Sequence, residues 1–591
     1  MRHHSSQSIG FRVLLPLLLI LSVACGSILP SGGGDGTAVV PKPANAIEIT
    51  IIYAPEEELY LKDAMQAFNL SYANGKDPIT GGNLPSGERA IYVTGKSGSS
   101  GTAMQGIVNA VIAPNNVNVE KPTIFSPSVS HWLALANYQA GRDIFDLADS
   151  PSTALAPVVM AIWESRLNAL QAKNPGQPIG WQDLLGVLNN PDGWAAYGIS
   201  GRSTVYYGHT DPYISSTAIS TLIAEFYASA KYNANNPDLR RLTLAEVNNP
   251  TVQAGVRSIE LLIKHYSSRT TEFKEYIAQG PEYLDFVALE ENDLIYINQG
   301  KTQYKPPEKL VALYPKEGTF WHEHPFAIPL GDWVTDEQRT AAKKFTDYVR
   351  SKVVQQKVLE AGFRPVSPDV PLSYPIDASL GVDPAQPTTV LAVPDPDVIA
   401  AVQRSWAYVK KQADIVLLID TSGSMNGEKL DQAKAAALAF LDKLPVQNRV
   451  ALYSFNTEMR HEVELGSFES NGQRVRDAIN GLRAGGDTAL HNSVIGAVQS
   501  LSADTSSDRI RAIILLSDGA DTASDKTRQD MVTAILAERD AKNPILVIPV
   551  AYGSDADIPT LSDIARSSST KVQSGDPATI TKLLEIISSY F

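Results

Sequence analysis

The stretch Asp414–Ser424, D-I-V-L-L-I-D-T-S-G-S, decides the fold of the C-terminal part of this chain. Its apolar run, Ile415–Ile419, is bounded by polar and turn-forming residues, a pattern typical of a buried parallel strand. Asp420, Ser422 and Ser424 then fall in the loop at the C-terminal end of that strand. In doubly wound sheets this edge is where ligands bind, and a D-x-S-x-S loop offers oxygen ligands for a hard divalent cation.

Two further loops are predicted at the same edge of the sheet. Arg449–Phe455 (R-V-A-L-Y-S-F) indicates the next strand, and a glycine-rich loop that ends in Thr488 opens a helix. Ile510–Leu516 (I-R-A-I-I-L-L) indicates another buried strand, and Asp518 lies just beyond its end. Because the carboxyl ends of parallel strands meet at one edge, we expect Thr488 and Asp518 to lie beside Asp420.

The segment 412–591 resembles the von Willebrand factor type A domain, a Rossmann-like α/β fold with a mostly parallel central sheet and helices on both faces. The metal-ion-dependent adhesion site of that family matches this sequence at Asp420, Ser422, Ser424, Thr488 and Asp518. The resemblance implies hydroxyl ligands from the serines and the threonine, and metal-bound waters held by the aspartates. It also implies that the cofactor is Mg²⁺ or Mn²⁺ and that a protein partner supplies an Asp or Glu carboxylate as the last ligand. Taken alone, D-x-S-x-S also fits a simple turn with local hydrogen bonds, but the two other loops favour a metal site.

Composition limits the function classes that are open to the chain. Its 591 residues predict about three domain-sized units. The formal net charge of -14 argues against a nucleic-acid-binding surface as the main function. Cys25 is the single cysteine, which excludes a disulfide within the chain and a cysteine-based zinc site.

The N-terminus has the features of a lipoprotein signal. In residues 1–24, basic residues precede the apolar run Val13–Ala24, which is too short to span a bilayer comfortably. The ending L-S-V-A-C is similar to a bacterial lipobox, which implies that Cys25 is diacylated and anchors the protein to the outer face of a membrane, at the cell surface or the periplasmic face. Ser22 departs from the leucine usual in that pattern, and an ordinary signal peptide with a coincidental cysteine is the alternative. Residues 25–45, rich in Gly and Ser, are predicted to be a flexible tether.

Strands and helices alternate in the next part of the chain, which indicates βαβ units around parallel sheets. The first predicted strands are Ile47–Tyr53, Ala90–Thr94 and Thr123–Ser126, and the helices between and after them are Glu57–Asn69, Thr102–Ala110 and Val129–Tyr138. Residues 46–365 resemble the type II extracellular solute-binding proteins, periplasmic-binding-protein-like domains whose two lobes close on a small ligand. The resemblance rests on five sequence segments: Ile124–Ser128, Ser152–Trp163, Gly180–Leu184, Tyr207–Pro212 and Pro325–Pro329. Residues 366–411, rich in proline, are predicted to be a linker that ends in a connecting helix.

Six polar residues are candidates for binding a solute, namely Ser97, Ser99, Ser126, Ser128, His209 and Thr210. The first two belong to the loop Gly95–Thr102, which fits an anion-binding nest of backbone amides and hydroxyls and equally fits a solvent turn. A Walker A site is excluded there because Ala90 stands where that motif requires glycine. His209 also fits a packing and capping role at the start of a helix.

The two resemblances together predict a non-enzymatic, membrane-anchored, extracytoplasmic binding protein. Its N-terminal domain captures a small solute, its C-terminal domain binds a protein partner through a cation, and lobe closure is expected to change how the C-terminal domain is presented. An adhesion or scaffold protein whose two-lobed domain binds no solute is the alternative. A hydrolase is less favoured, because Glu290 and Glu291 are adjacent on a predicted strand and point to opposite faces. His322 and His324 fit zinc ligands or, without a third partner, surface or packed residues.

Overall fold

The computed structural model describes the chain from residue 40 onward, except for short segments. The exceptions are 116–117, 201–204, 268–269, 504–507, 519, 540–542, 554–555, 569, 571, 576–579, 582–583, 585–586 and 588–591. Cys25, the predicted signal and most of the predicted tether therefore lie outside the described residues. Among the helices of the described part, none is long and apolar enough to cross a bilayer.

The first lobe is built around the apolar run Ile47–Tyr53, which forms the middle strand of a parallel three-stranded sheet, as predicted. Its elements in chain order are β1 (Ile47–Tyr53), α1 (Glu58–Ala73), β2 (Ile91–Ser97), α2 (Ser100–Ile112), β3 (Ile124–Ser126) and α3 (His131–Ala140). The strand order is β2-β1-β3. Alternate residues of β1 face opposite sides, so Ile51 packs with α1 and Ile52 packs with α2 and α3.

The second lobe is organised around a strand in which all eight residues are apolar and buried. Its elements are β4 (Ala156–Trp163), α4 (Glu164–Lys173), α5 (Trp181–Leu188), β5 (Tyr207–Thr210), α6 (Ser216–Tyr232), α7 (Leu244–Val247), α8 (Pro250–Glu260), β6 (Ile263–Ser267), α9 (Thr270–Ala278), β7 (Phe286–Glu290), α10 (Glu291–Asn298), β8 (Leu310–Leu313) and β9 (Trp321–His322). The sheet order is β6-β5-β7-β4-β8, with β4 antiparallel to β7 and β8. The chain then returns to the first lobe through α11 (Asp336–Val349) and α12 (Lys352–Glu360).

Residues 366–411, predicted to be a proline-rich linker that ends in a connecting helix, contain that helix and also pack into the N-terminal domain. Val370, Ile376, Leu380 and Val382 are buried in one apolar cluster with residues of β4, β7 and α10. The helix α13 (Pro396–Val409) contacts α3 of the first lobe and α6, α7 and α8 of the second. The apolar side chains between the prolines are irregularly spaced. Because they follow neither the helix period nor the strand period, the sequence pattern gave no sign that they are buried.

The C-terminal domain contains a six-stranded sheet with helices on both faces. Its elements are β10 (Gln412–Asp420), α14 (Glu428–Lys443), β11 (Arg449–Phe455), β12 (Met459–Ser467), α15 (Phe468–Gly481), α16 (Leu490–Ser502), β13 (Arg509–Ser517), α17 (Arg528–Arg539), β14 (Ile545–Tyr552), α18 (Ile558–Ser567) and β15 (Gln573–Gly575). The order is β12-β11-β10-β13-β14-β15, and every pairing is parallel except that of β11 with β12. The central strands match the predicted apolar runs, so the doubly wound architecture is confirmed.

The start of β10 is joined directly to the second lobe. The Lys411 backbone N–H donates a hydrogen bond of 2.8 Å to the Tyr266 hydroxyl, and Lys411 Nζ donates to the Ile263 carbonyl at 3.2 Å. Buried apolar residues run without interruption from the second lobe through α13 into β10 and α14. The two domains therefore share a core at this junction.

We expect Ile399→Ala to lower the free energy of unfolding by about 2–5 kcal/mol, since Ile399 on α13 is fully buried and truncation leaves a cavity. Tyr408→Ala, on the same helix but with the side chain 70% exposed, is the matched control and is expected to change stability by less than about 0.5 kcal/mol. Urea unfolding of both variants provides the measurement. Equal stability of the two variants would show that α13 behaves as a linker.

Candidate functional site

The carboxylate of Asp420 is fixed at the end of β10 by hydrogen bonds to both oxygens. Oδ1 accepts from the Ser422 backbone N–H at 2.8 Å, and Oδ2 accepts from the Ser517 hydroxyl at 2.7 Å. Asp420 is fully buried, and burial raises its pKa, against the effect of the hydrogen bonds from Ser422 and Ser517; the charge of Asp518 raises the pKa further. The side chain is thus a rigid, poorly solvated acceptor at the sheet edge.

The two serine hydroxyls bridge Asp420 and Asp518. Ser422 Oγ lies 3.0 Å from Ser424 Oγ, and the Ser424 hydroxyl donates to Asp518 Oδ1 at 2.8 Å. Ser422 and Asp518 are buried, whereas Ser424 is exposed. The strands β10 and β13 therefore bring four of the five predicted residues into one hydrogen-bonded group that opens to solvent at Ser424.

The fifth predicted residue, Thr488, is brought to the same edge by the glycine-rich loop. Gly486 adopts a positive φ of 85° and its carbonyl accepts from the Gly423 N–H at 2.9 Å. The Thr488 N–H donates to the Thr522 hydroxyl at 2.9 Å, and the Thr488 carbonyl accepts from the Thr522 N–H at 2.8 Å. This loop is thus tied to the D-x-S-x-S loop on one side and to the chain after β13 on the other.

Lys429 is a member of this group that the sequence analysis missed. Its Nζ lies 2.6 Å from Asp518 Oδ2, and it is placed there by the first turn of α14. The side chain offsets one of the two carboxylate charges at the edge. A lysine at the start of an ordinary amphipathic helix gives no signal in the sequence that it reaches a neighbouring loop.

The donor set at this edge fits a hard divalent cation. It consists of two carboxylates and three hydroxyl groups, with no nitrogen or sulfur donor among the five residues. Oxygen-only donor sets suit Mg²⁺ or Mn²⁺. We call this group, Asp420, Ser422, Ser424, Thr488 and Asp518, the metal edge.

A second candidate site is a small polar cavity of about 40 Å³ between the two lobes. Its polar lining comprises Glu56, Ser99, Ser100 and Ser128 from the first lobe and Ser215, Ser216, Thr217, Thr270, Thr271, Glu290 and Asp293 from the second. Ser100, Ser216 and Thr270 are the first residues of α2, α6 and α9. The lobes also touch directly, since the Gly101 N–H donates to the Ile214 carbonyl at 3.0 Å.

The six predicted solute-binding residues fall in different environments. Ser99 and Ser128 line the cavity, and Thr210 Oγ1 lies 3.3 Å from Thr270 Oγ1 of the lining. Ser97 is exposed at the end of β2 and is not among the lining residues. The buried Ser126 hydroxyl donates to Glu57 at 2.9 Å, and His209 is buried against Trp406, so neither contributes to the lining.

A buried charge network lies behind the cavity wall. Glu290 accepts hydrogen bonds from His322 Nδ1 at 2.7 Å and from His324 Nε2 at 3.2 Å. Both histidines are therefore packed residues with a carboxylate partner. The neighbouring Glu291 instead pairs with Arg364 at 2.7 Å, so the two adjacent glutamates point to different surroundings, as predicted.

The pKa values of this network are shifted by burial and by the ion pairs. Burial alone would lower the pKa of His324, but the charge of Glu290 and its hydrogen bond, with Glu57 and Glu56, raise it to about 9. Burial alone would raise the pKa of Glu290, but the charges and hydrogen bonds of His324 and His322 hold it well below its usual range. Burial, followed by the charge of Glu290, raises the pKa of Glu56 at the cavity wall.

Comparison with known proteins identifies both parts of the chain. A family model described as bacterial extracellular solute-binding protein matches residues 135–385, and one for the von Willebrand factor type A domain matches residues 414–585. An uncharacterized protein of Mycobacterium tuberculosis is 22% identical over 592 residues, covering 96% of this chain and 81% of that relative. Among solved structures, the sulfate-binding protein SubI of M. tuberculosis is 20% identical (TM-score 0.35; 55% of this chain, 88% of that chain). A von Willebrand factor type A structure from Catenulispora acidiphila is 24% identical (TM-score 0.28; 30% of this chain, 42% of that chain).

We expect His324→Gln to change how the stability of the protein depends on pH. A histidine whose folded pKa is raised from 6.5 to about 9 contributes stability that is fully present below pH 6.5 and is lost as the pH rises through about 9. The difference in free energy of unfolding, wild type minus variant, should fall by on the order of 3 kcal/mol across that range. Denaturant unfolding at a series of pH values measures it, and groups common to both proteins cancel in the difference.

His461 on β12 provides the control, because His461→Gln removes a histidine whose side chain is 35% exposed and whose carboxylate partner, Glu464, is itself exposed. A difference between wild type and His324→Gln that stays constant with pH would contradict the ion pair with Glu290.

Proposed function

From a chain that joins a solute-binding-protein-like domain to a von Willebrand factor type A domain, we propose an extracytoplasmic binding protein with two sites. The metal edge binds a protein partner that presents an Asp or Glu carboxylate. The cavity between the lobes binds a small polar solute. The proposal assigns binding to both sites and catalysis to neither.

The observation that carries the proposal for the metal edge is the meeting of three loops at one end of β10 and β13. The hydroxyls of Ser422, Ser424 and Thr488 would hold the cation directly, and Asp420 and Asp518 would hold its waters. A bound Mg²⁺ or Mn²⁺ supplies an electrophilic position that accepts a carboxylate from outside. The exposed Ser424 marks the side from which that carboxylate approaches.

Lys429 adjusts the charge of the metal edge in this proposal. Two carboxylates would neutralise a divalent cation completely, and a neutral site attracts an incoming anion weakly. The Lys429 ammonium, 2.6 Å from Asp518 Oδ2, offsets one of those charges. The loaded site therefore keeps a net positive charge toward the partner.

The cavity favours a solute with hydrogen-bond donors or a cationic group. The space in it that a water-sized molecule can enter is about 40 Å³, below the usual range for small-molecule sites, so binding of a larger solute requires the lobes to move apart. Hydroxyls of both lobes and the carboxyls of Glu56 and Asp293 line it, and Lys274, 2.9 Å from Asp293, is the cation paired with that carboxyl. Carboxyl groups in the wall disfavour an anionic solute.

A scaffold protein without a solute is the second candidate, and direct contacts between the lobes favour it. The Trp132 indole N–H donates to the Ser216 hydroxyl at 2.9 Å across the lobes, and α13 packs on both of them. These contacts hold the lobes together without a ligand. A ligand-dependent rise in melting temperature of the full chain distinguishes solute binding from a scaffold role.

Asp420→Asn is expected to weaken the affinity of the full chain for Mg²⁺ by about 10- to 100-fold, because the amide cannot supply the charge that holds the metal-bound waters. Calorimetric titration with Mg²⁺, in the presence of acetate as the carboxylate probe, measures the change. Asp477→Asn, at an exposed position on α15, is the matched control and should leave the affinity unchanged. Equal Mg²⁺ affinity in the folded Asp420→Asn chain and wild type would refute the metal edge.

Attachment to a membrane through lipid on Cys25 is a further part of the proposal, and its support is the lipobox-like sequence alone. Cys25→Ser is expected to move the protein from the membrane fraction to the soluble fraction or to leave its signal uncleaved. Fractionation of expressing cells, with mass measurement of the N-terminal peptide, tests this. Unchanged lipid attachment in the variant would contradict it.

A further inference from the structure

Three buried titratable residues meet in the second lobe, away from the cavity lining and from the metal edge. They are His209 at the end of β5, Glu225 on α6 and Glu260 at the end of α8. His209 is 2% exposed, and both glutamates are fully buried. One ring nitrogen of His209 and one carboxylate oxygen of each glutamate all lie within 4.8 Å of one another.

Each carboxylate is held by a tyrosine through one oxygen and leaves the other oxygen without a partner. The Tyr207 hydroxyl donates to Glu225 Oε1 at 3.3 Å, and the Tyr266 hydroxyl donates to Glu260 Oε2 at 2.8 Å. Glu225 Oε2, Glu260 Oε1 and both ring nitrogens of His209 have no hydrogen-bond partner. Buried polar atoms without partners are costly; a proton shared between the two glutamates would satisfy their two oxygens, and a bound cation would satisfy these oxygens and a ring nitrogen of His209 together.

The protonation states at this cluster suit a cation. Burial lowers the pKa of His209 to about 3, so the ring is neutral and keeps a lone pair for coordination. Burial and the charge of Glu260 raise the pKa of Glu225, and burial raises that of Glu260 to about 7. Without a cation the two carboxyls must share a proton, whereas two carboxylates match the charge of a divalent ion.

Lys410 is the nearby cation, and its contacts are with aromatic rings. Its Nζ lies 4.7 Å from the ring centre of Tyr266 and 5.9 Å from that of Trp406. Burial lowers the pKa of Lys410 to about 8. This lysine therefore leaves the unpartnered oxygens of Glu225 and Glu260 open to another ligand.

We propose that His209, Glu225 and Glu260 bind a first-row transition-metal ion of the zinc class. One imidazole nitrogen and two carboxylate oxygens form a donor set typical of Zn²⁺, with bonds of about 2.0–2.2 Å. Ligand atoms around a tetrahedral ion of this kind lie about 3.4 Å apart, so closing the separations of up to 4.8 Å requires each side chain to move by less than about 1 Å. The tyrosine hydroxyls on the outer oxygens supply the orienting contacts that metal ligands usually have.

A comparable group at the interface of the two lobes has fewer free atoms. Glu56, Glu290 and His324 also bring ligand atoms within 4.8 Å of one another. Both oxygens of Glu290, however, already accept hydrogen bonds from His322 and His324. His324 Nδ1 is the one buried atom of that group without a hydrogen-bond partner among the described residues, whereas the cluster around His209 has four such atoms, which makes it the better metal site.

The site lies beside the junction of the two domains. The Tyr266 hydroxyl that donates to Glu260 also accepts from the Lys411 N–H, one residue before β10. The ring of His209 packs against Trp406 of α13, with ring centres 5.3 Å apart. A metal ion here would tie β5, α6 and α8 together where α13 and β10 rest on the second lobe.

The test uses the full chain with Asp420→Asn, which disables the metal edge. The protein is equilibrated with Zn²⁺, dialysed against metal-free buffer and analysed by inductively coupled plasma mass spectrometry. One equivalent of zinc is expected to remain, and adding Glu225→Gln or Glu260→Gln should lower it at least tenfold. Glu317→Gln is the matched control, because Glu317 is a buried glutamate held by Tyr232 at 2.7 Å.

No retained zinc in the Asp420→Asn chain would overturn the proposal, and so would retained zinc in both glutamine variants. Loss of zinc with Glu290→Gln but not with Glu260→Gln would place the ion at the group formed by Glu56, Glu290 and His324 and overturn it equally. If a glutamine variant does not fold, Co²⁺ replaces Zn²⁺ in the Asp420→Asn chain. Visible absorption bands of cobalt with nitrogen and oxygen ligands are then expected, and their absence contradicts the site.

Discussion

Strand β10 is fixed at both ends, and the positions of the other sites follow from it. At its start, the Lys411 backbone is hydrogen-bonded to Tyr266 of the second lobe. At its end, about 30 Å from Lys411 for an extended strand, Asp420 begins the metal edge. Between these points β10 is buried and paired on both sides, with β11 and β13. The direction in which the metal edge faces is therefore set by the lobe that anchors the strand.

Helix α13 connects this strand to both lobes of the N-terminal domain. It packs on α3 of the first lobe and on α6, α7 and α8 of the second, and it leads into β10 after two residues. Opening of the cavity would have to separate α13 from one lobe. In the proposed function, a change in the angle between the lobes would alter the contacts at the start of β10, which would couple the cavity to the metal edge.

The parts that the sequence predicted depend on local patterns. The apolar runs of β1, β10, β11 and β13 end where their polar loops begin, so a strand and the loop at its edge can be located without coordinates. The residues of the metal edge were located in this way, because each of them lies at the end of a strand or after a glycine-rich turn. The edge strand β12, with its alternating charged residues, has no such apolar run.

The parts that the sequence did not predict depend on contacts between distant segments. Lys429 reaches Asp518 only because α14 starts beside β13, and Glu56 lines the cavity only because the lobes meet. His209 was expected near the solute, but its strand β5 ends against α13, which the sequence placed in a linker. The many prolines of that segment favoured the prediction of a linker. Its scattered apolar residues are nevertheless buried, and their burial packs the segment onto the N-terminal domain.

The most direct test of the proposed cation site is anomalous scattering from crystals of the full chain grown with Mn²⁺. If the proposal is correct, a manganese peak lies within about 2.5 Å of hydroxyl oxygens of Ser422 and Ser424, with Thr488 beside it. Crystals that contain Mn²⁺ but show no peak between the loops after β10 and β13 would contradict it.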